Sequence, residues 1–95
     1  MSACPPLSFR GITPSVMSCC VKAANEHGAN IPDPPPPSGQ VTVSILVGSF
    51  TFTWNYDSAN QTATIECTDS PFIITCGEID SAITSTVQGC GGTPA

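Results

Sequence analysis

The cysteines and the single histidine are the residues of this chain with the clearest capacity for chemistry. A cysteine acts as a nucleophile when a base lies within hydrogen-bonding distance. Cys19 and Cys20 precede His27 by eight and seven residues on a predicted helix, so the helical rise places them roughly 10–12 Å from the imidazole. No dyad forms within that helix. Cys67 or Cys76 would lie near His27 only if the fold brought these distant parts of the chain together. The simpler interpretation is that His27 is an ordinary histidine near the end of a helix, either exposed or hydrogen-bonded.

Metal, acid–base and phosphate sites are also poorly matched. Zinc sites use closely spaced cysteine pairs such as C-x₂-C, whereas the adjacent Cys19 and Cys20 are followed by gaps of 46, 8 and 13 residues. No two of the seven carboxylates have a spacing that would give a general acid and a general base. Gly89, Gly91 and Gly92 end the chain with no helix after them, unlike a phosphate-binding loop. We therefore predict a non-catalytic protein with no metal and no cofactor.

Six cysteines in 95 residues favour a disulfide framework instead. All six are candidates for bridges: Cys4, Cys19, Cys20, Cys67, Cys76 and Cys90. The alternative is six reduced, buried thiols that act as small hydrophobic side chains. We predict at least two disulfides. Because the first predicted helix should face the sheet, at least one bridge is expected to join the Cys19-Cys20 pair to Cys67 or Cys76.

The charge pattern excludes two classes of partner. The chain has a net charge of −5, and its only strong cations are Arg10 and Lys22. Nucleic acids and anionic membrane surfaces both attract clusters of Lys and Arg, so neither is an expected partner. No apolar run approaches the roughly 18 residues of a membrane span, and we expect no membrane insertion.

The composition favours a location outside the cytoplasm. Only 9% of the residues are charged, against about 25% in an average protein, and 11 serines and 11 threonines supply much of the polarity. Such hydroxyl-rich surfaces are common on secreted and surface-displayed proteins. The N-terminus lacks the basic and apolar regions of a signal peptide, so a cytoplasmic location stays open beside the expected extracellular or surface-associated one.

Two rows of apolar residues at every second position predict two neighbouring strands. The first row is Val41, Val43, Ile45 and Val47, and the second is Phe50, Phe52, Trp54 and Tyr56. Gly48-Ser49 suits a type II′ turn, which would pair Val47 with Phe50. Both rows would then lie on one face of the sheet.

A third and a fourth strand complete the predicted sheet. A turn with its tip at Ser58-Ala59 would place Trp54 opposite Ala63 and keep the apolar face continuous. The short apolar run 72–75 is assigned to the fourth strand. The result is a four-stranded antiparallel meander over residues 40–75.

The segment 13–28 is predicted to be a helix. Thr13 is a suitable N-cap, Pro14 occupies the first helical position and Gly28 follows the last turn. One apolar stripe would face the sheet, formed by Val16, Cys19, Cys20, Ala23, Ala24 and His27. The residues expected to be buried against this helix are Val43, Phe50, Phe52, Trp54 and Ile65.

A second, short helix is predicted over residues 76–89. Thr75 and Glu78 have the spacing of a capping box, and Gly89 would close the last turn. Its β-branched residues lower the intrinsic helix propensity, so packing against the sheet must stabilise it.

Together these elements describe one two-layer α+β domain. An extended lead-in (1–12) precedes the N-terminal helix, a proline-rich connector (29–39) joins that helix to the meander, and a tail (90–95) follows the C-terminal helix. The connector has the composition of a polyproline ligand for an aromatic groove. It lacks the basic flanking residue typical of such ligands, so a purely structural link is favoured.

The first strand of the meander is the expected interaction site. Its residues are Val41, Thr42, Val43, Ser44 and Ile45. It lies at the edge of the predicted sheet without a Lys, Glu or Pro to block pairing, unless the connector or the lead-in covers it. We therefore expect a secreted or surface-displayed interaction or self-assembly domain, whose partner is another protein or a second copy. The alternative is a small secreted inhibitor or effector that binds another protein through its hairpin loops.

Overall fold

The computed structural model describes residues 3–46, 48–71 and 73–95, and for Ile45 only the backbone. The elements run in the order β1 (Leu7–Arg10), α1 (Pro14–Glu26), β2 (Ser38–Ile45), β3 (Gly48–Asp57), β4 (Thr62–Asp69), α2 (Cys76–Cys90) and β5 (Thr93–Pro94). The strands form one antiparallel sheet in the order β2-β3-β4-β1-β5. Both helices pack on the same face of this sheet. The predicted α+β class, with a helix before and after the meander, is confirmed.

The lead-in supplies the strand that was expected from residues 72–75. It forms β1, which pairs with residues 62–65 of β4, and the tail adds β5 to the other side of β1. Phe72 lies outside the described residues, and Ile73 and Ile74 belong to a turn. The predicted fourth strand is wrong, because β1 occupies the edge of β4 that it would need and the chain must lead directly into α2.

The β2–β3 hairpin turns earlier than predicted. Val43, not Val47, pairs with Phe50, and Gly48 is the first residue of β3 rather than part of the turn; Val47 itself lies outside the described residues. Gly48 has a φ of 139° and lies so close to Pro71 that a Cβ atom would be 2.7 Å from the proline Cγ. The register moves by an even number of residues, so the apolar rows keep their common face.

The β3–β4 hairpin shows the same kind of shift. Trp54 pairs with Ile65 instead of Ala63, because the turn spans residues 58–61 and its centre lies one residue later than predicted. Gln61 at the end of this turn has a positive φ of 54°. The shift is again even, and the apolar side chains of β3 and β4 stay on the inner face.

The first helix begins as predicted, but its buried face is displaced. The hydroxyl of Thr13 accepts a hydrogen bond from the N–H of Val16 at 3.2 Å, as expected for an N-cap. Val21 is buried, whereas Cys19 and His27 of the predicted stripe are exposed. The side chains facing the sheet are those of Met17, Cys20, Val21 and Ala24. Met and Val bury more apolar area than Ala, which favours this orientation.

The second helix has the predicted start and a later end. The hydroxyl of Thr75 accepts a hydrogen bond from the N–H of Glu78 at 3.1 Å and donates one to the Glu78 carboxylate at 3.3 Å. The helix continues to Cys90, and Gly91, with a φ of 110°, closes it instead of Gly89. The left-handed conformation of Gly91 lets its N–H bond to a carbonyl of the last turn.

Two buried clusters hold the helices on the sheet. The first contains Phe9, Ile12, Ala63 and Val87, and the second contains Cys4, Phe50, Cys67 and Ile79. Phe50 thus packs with Ile79 of α2, whereas the sequence placed it against the first helix. Phe52, Trp54 and Ile65 are half-buried rather than buried, because a groove separates this part of the sheet from the helices.

Replacing Phe9 with Ala tests the first cluster. The side chain is 1% exposed, so its loss should lower the free energy of unfolding by about 3–5 kcal/mol, measured by urea denaturation with the disulfides intact. The control is Leu46→Ala, because Leu46 is 106% exposed and its truncation should change stability by less than about 0.5 kcal/mol. Equal losses in the two variants would contradict this assignment of the core.

Candidate functional site

Two disulfides link distant parts of the chain. Cys4 is bonded to Cys76 with a Cα–Cα distance of 5.5 Å, and Cys19 to Cys90 with one of 5.7 Å. The bridge expected between the first helix and residue 67 or 76 is wrong. β1 runs beside β4, so the lead-in passes close by and the N–H of Cys4 donates to the carbonyl of Cys67 at 2.8 Å. Cys19 lies on the exposed side of its helix, within reach of the end of α2.

The bridges fix both ends of α2. Cys76 is the first residue of this helix and Cys90 is the last. One bridge ties the start of α2 to the lead-in, and the other ties its end to the middle of α1. Each end of α2 is therefore covalently attached to another segment of the domain.

Cys20 and Cys67 are free cysteines, although both were candidates for bridges. Cys67 is 2% exposed, and its thiol donates to the carbonyl of Asp69 at 3.3 Å. Burial raises the pKa of both thiols above the ordinary value, which keeps them protonated at neutral pH. A nucleophilic cysteine needs the opposite shift. Within the described residues, no three His, Cys, Asp or Glu side chains come together as a possible metal site.

A groove of about 480 Å³ lies between the two helices and the inner face of the sheet. The sheet contributes Val41, Val43, Phe50, Phe52, Trp54 and Ile65. The helices contribute Met17, Cys20, Val21, Ala24, Ile79 and Ile83. Ionisable side chains in the lining are few: Glu78 at the start of α2 and His27 at the end of α1 accompany the Cys20 thiol. The volume falls within the roughly 300–1,000 Å³ of small-molecule sites.

A groove of this size is a large feature for a domain with so small a core. At about 24 cal/mol per Å³, an enclosed void of the same volume would cost about 11 kcal/mol, which is comparable with the whole unfolding free energy of a domain, roughly 5–15 kcal/mol. The groove is partly open, so its apolar walls can contact solvent. The two bridges limit how far the ends of α2 can move.

Trp54 connects the groove to the proline-rich connector. Its indole N–H donates to the carbonyl of Pro36 at 3.0 Å. The ring lies over Gly39, where a Cβ atom would approach the indole to 2.6 Å, so any larger residue would displace the ring. The N–H of Tyr56 donates to the carbonyl of Pro37 at 2.6 Å. The connector is thus bound to β3 through two of its carbonyls.

β2 is an edge strand, as the sequence predicts. Hydrogen-bonded and non-hydrogen-bonded residue pairs alternate along an antiparallel ladder. The hydrogen bond from the N–H of Tyr56 to the carbonyl of Pro37 therefore shows which backbone groups of β2 face β3 and which face outward. The N–H and C=O groups of Gln40, Thr42 and Ser44 therefore point away from β3. Among the described residues, neither the connector nor the lead-in makes a backbone hydrogen bond with them.

The five predicted edge residues divide between two surfaces. Thr42 and Ser44 are exposed and have their backbone groups at the open edge. Val41 and Val43 line the groove, and their backbone groups pair with β3. Ile45 is the last residue of β2, and only its backbone belongs to the described structure.

Two large apolar side chains are exposed at the end of the sheet that carries the β2–β3 turn. Leu46, in the turn, is 106% exposed, and Ile73, in the loop before α2, is 64% exposed. The contact between Gly48 and Pro71 brings the turn and this loop together. Both side chains are therefore exposed at this end of the molecule.

Comparisons with known protein families, with curated proteins and with solved structures found no match. Among the described residues, no helix is both long and apolar enough to cross a membrane. Evidence for function therefore comes from the residues of this chain alone.

Only part of the groove has a signal in the sequence. Met17, Val21 and Ala24 repeat at helical spacing one position beyond the predicted stripe, and the apolar rows of the sheet supply the opposite wall. Periodicity identifies the side chains that face inward but not the separation between the two layers. The groove itself therefore has no signature that a single sequence could reveal.

Alkylation without reductant tests the two bridges and the two free thiols. The denatured chain should take up two alkyl groups, at Cys20 and Cys67, as counted by intact mass, and six after reduction. In the native protein both should react slowly at pH 7 and faster as the pH rises past the ordinary thiol pKa of about 8.5, because burial raises the pKa of each thiol and lowers its thiolate fraction. Six groups added without reductant would contradict the disulfides.

Proposed function

We propose that this chain is a non-catalytic domain that works outside the cytoplasm and associates with a β-strand of another protein, foremost a second copy of itself. The observation that carries the proposal is the open edge of β2. The backbone groups of Gln40, Thr42 and Ser44 point outward along it without a backbone partner in the described structure. Such a row of N–H and C=O groups accepts a further strand.

The two disulfides support the compartment. Bridges of this kind persist in oxidising environments and are rare in the cytosol, where thiols are kept reduced. Each closes a sequence separation of more than 70 residues, 72 for one and 71 for the other. The low share of charged residues, 9%, agrees with a secreted or surface-displayed protein.

The state of the free thiols supports a non-catalytic role. A cysteine nucleophile works as the thiolate, and its pKa is lowered by a neighbouring cation or a helix N-terminus. Burial raises the pKa of Cys20 and of Cys67 instead. The thiol of Cys67 is also engaged with the carbonyl of Asp69, so it points at an acceptor that cannot activate it.

A second copy fits the edge of β2 well. Antiparallel pairing of two β2 strands about a two-fold axis would join two five-stranded sheets into one and use the same surface on both copies. Residues 38–45 contain no charged side chain, so no like charges meet at the junction. The β-branched residues of this strand also favour an extended backbone.

Replacing Thr42 with Pro tests the edge directly. Proline removes the outward N–H without removing a bond to β3, and it is tolerated on edge strands. Both copies carry the change, so two hydrogen bonds of about 1 kcal/mol each are lost, and the dimer association constant should fall at least about thirty-fold. Sedimentation equilibrium over a wide concentration range measures this constant.

The matched control is Thr42→Val, which keeps the N–H and the β-branched shape. It should associate like the wild type, and circular dichroism should show that both variants keep the native fold. A wild type that stays monomeric at the highest concentration, or a Pro variant that associates as tightly as the Val variant, would refute association through β2.

A second candidate function rests on the exposed Leu46 and Ile73. Here the chain is a small secreted inhibitor or effector that binds another protein through the β2–β3 turn and the loop before α2. Apolar side chains clustered at a surface are typical of protein contacts, and these two are the large hydrophobic residues most exposed in the described structure. This function expects a monomer at every concentration and no effect of Thr42→Pro on the solution mass.

A further inference from the structure

We propose that the groove between the helices and the sheet binds a small, uncharged, apolar molecule. The site is separate from the edge of β2, because strand association uses backbone groups that point away from the sheet while the groove lies on its inner face. The shape of the groove, the charge of its lining and the disulfides that restrict α2 all favour a ligand.

The shape suits a small molecule. Side chains of α1, α2, the connector and the sheet all line the groove, so a ligand would be surrounded on several sides. Phe52, Trp54 and Ile65 are half-buried and therefore present apolar surface that is still open to contact. The volume of about 480 Å³ matches a compact ligand better than a protein segment, which would have to enter between the helices.

The charge of the lining selects an uncharged ligand. Neither Arg10 nor Lys22, the only strong cations of the chain, lines the groove. The ionisable lining residues besides the Cys20 thiol are Glu78 and His27, and the net charge of the chain is −5. A carboxylate or phosphate would therefore meet no Lys or Arg in the described lining, where the exposed His27 is the one side chain that can carry a positive charge. Burial of an anion with so little compensating charge is unfavourable.

The disulfides restrict the movements of α2 that could close the groove. In a small core without bridges, a helix can shift toward the sheet and close such a space. Here one bridge ties Cys76 at the start of α2 to Cys4 in the lead-in, and the other ties Cys90 at its end to Cys19 of α1, so the ends of α2 cannot move far independently of these segments. A site held open in advance does not have to be formed when the ligand binds, which favours affinity.

Binding can be measured with N-phenyl-1-naphthylamine, an uncharged apolar dye. We expect a saturable rise in dye fluorescence with one site per chain and a matching loss of tryptophan emission, since Trp54 is the single tryptophan and lines the groove. 1-Dodecanol should displace the dye. Dodecanoate has the same chain length but carries a carboxylate, so it should compete at least about tenfold more weakly.

Two neighbouring alanines of α1 provide a matched pair of variants. Ala24 lines the groove and Ala23 does not. Ala24→Phe should fill the space and abolish most of the saturable dye binding, whereas Ala23→Phe should bind like the wild type. Circular dichroism shows whether each variant keeps the native fold.

The free thiols provide a test on the unmodified protein. Cys20 lines the groove, and Cys67 lies outside its lining. Saturating 1-dodecanol should slow the alkylation of Cys20 by iodoacetamide and leave the rate at Cys67 unchanged, as read from peptide masses. This measurement tests ligand binding in the groove even if the Ala24→Phe variant fails to fold.

Three results would overturn the proposal: no saturable dye binding to the wild type, equal binding by folded Ala23→Phe and Ala24→Phe, or no protection of Cys20. Thr42→Pro should leave dye binding unchanged. A negative result for the groove would therefore not contradict association through β2. A negative result for association through β2 would likewise not contradict ligand binding in the groove.

Discussion

The pairing of β1 with β4 is the contact on which the rest of the structure depends. It carries Phe9 into the first buried cluster and brings Cys4 alongside Cys67, close enough to the start of α2 for the bridge to Cys76. It also places β1 between β4 and β5 in the sheet. Without this strand, β4 would have an unpaired edge and α2 would lose the attachment of its first residue. The sheet that this pairing completes supplies one wall of the groove.

The two edges of the sheet differ in their capacity for further pairing. β5 has two residues, and one of them is Pro94, which has no N–H to donate. β2 has eight residues without a charge. The same strand lines the groove through Val41 and Val43. Two surfaces therefore meet at β2, one made by its outward backbone groups and one by its inner side chains, and each is available to a different kind of partner.

Local patterns in the sequence predict the central hairpins, the helix starts and the common apolar face. They do so because alternation and capping depend on residues close together in the chain. The predicted strand registers differ from the observed ones by an even number of residues. Gly48-Ser49 has the composition of a turn, but the contact of Gly48 with Pro71 is not local and could not be predicted from the neighbouring residues. β1 was missed because Leu7 and Phe9 are too short a row to distinguish a strand from an extended lead-in. The pairing of Cys4 with Cys76 depends on that strand and could not be derived without it.

The two disulfides are interleaved along the chain. One spans residues 4–76 and the other spans 19–90, so each loop contains one end of the other. Every peptide bond between residues 4 and 90 is therefore enclosed by at least one bridge. A protease that cuts the backbone once in this range leaves a single covalent molecule, and the two fragments remain joined. One nick in a hairpin turn or in the connector would therefore not release a fragment.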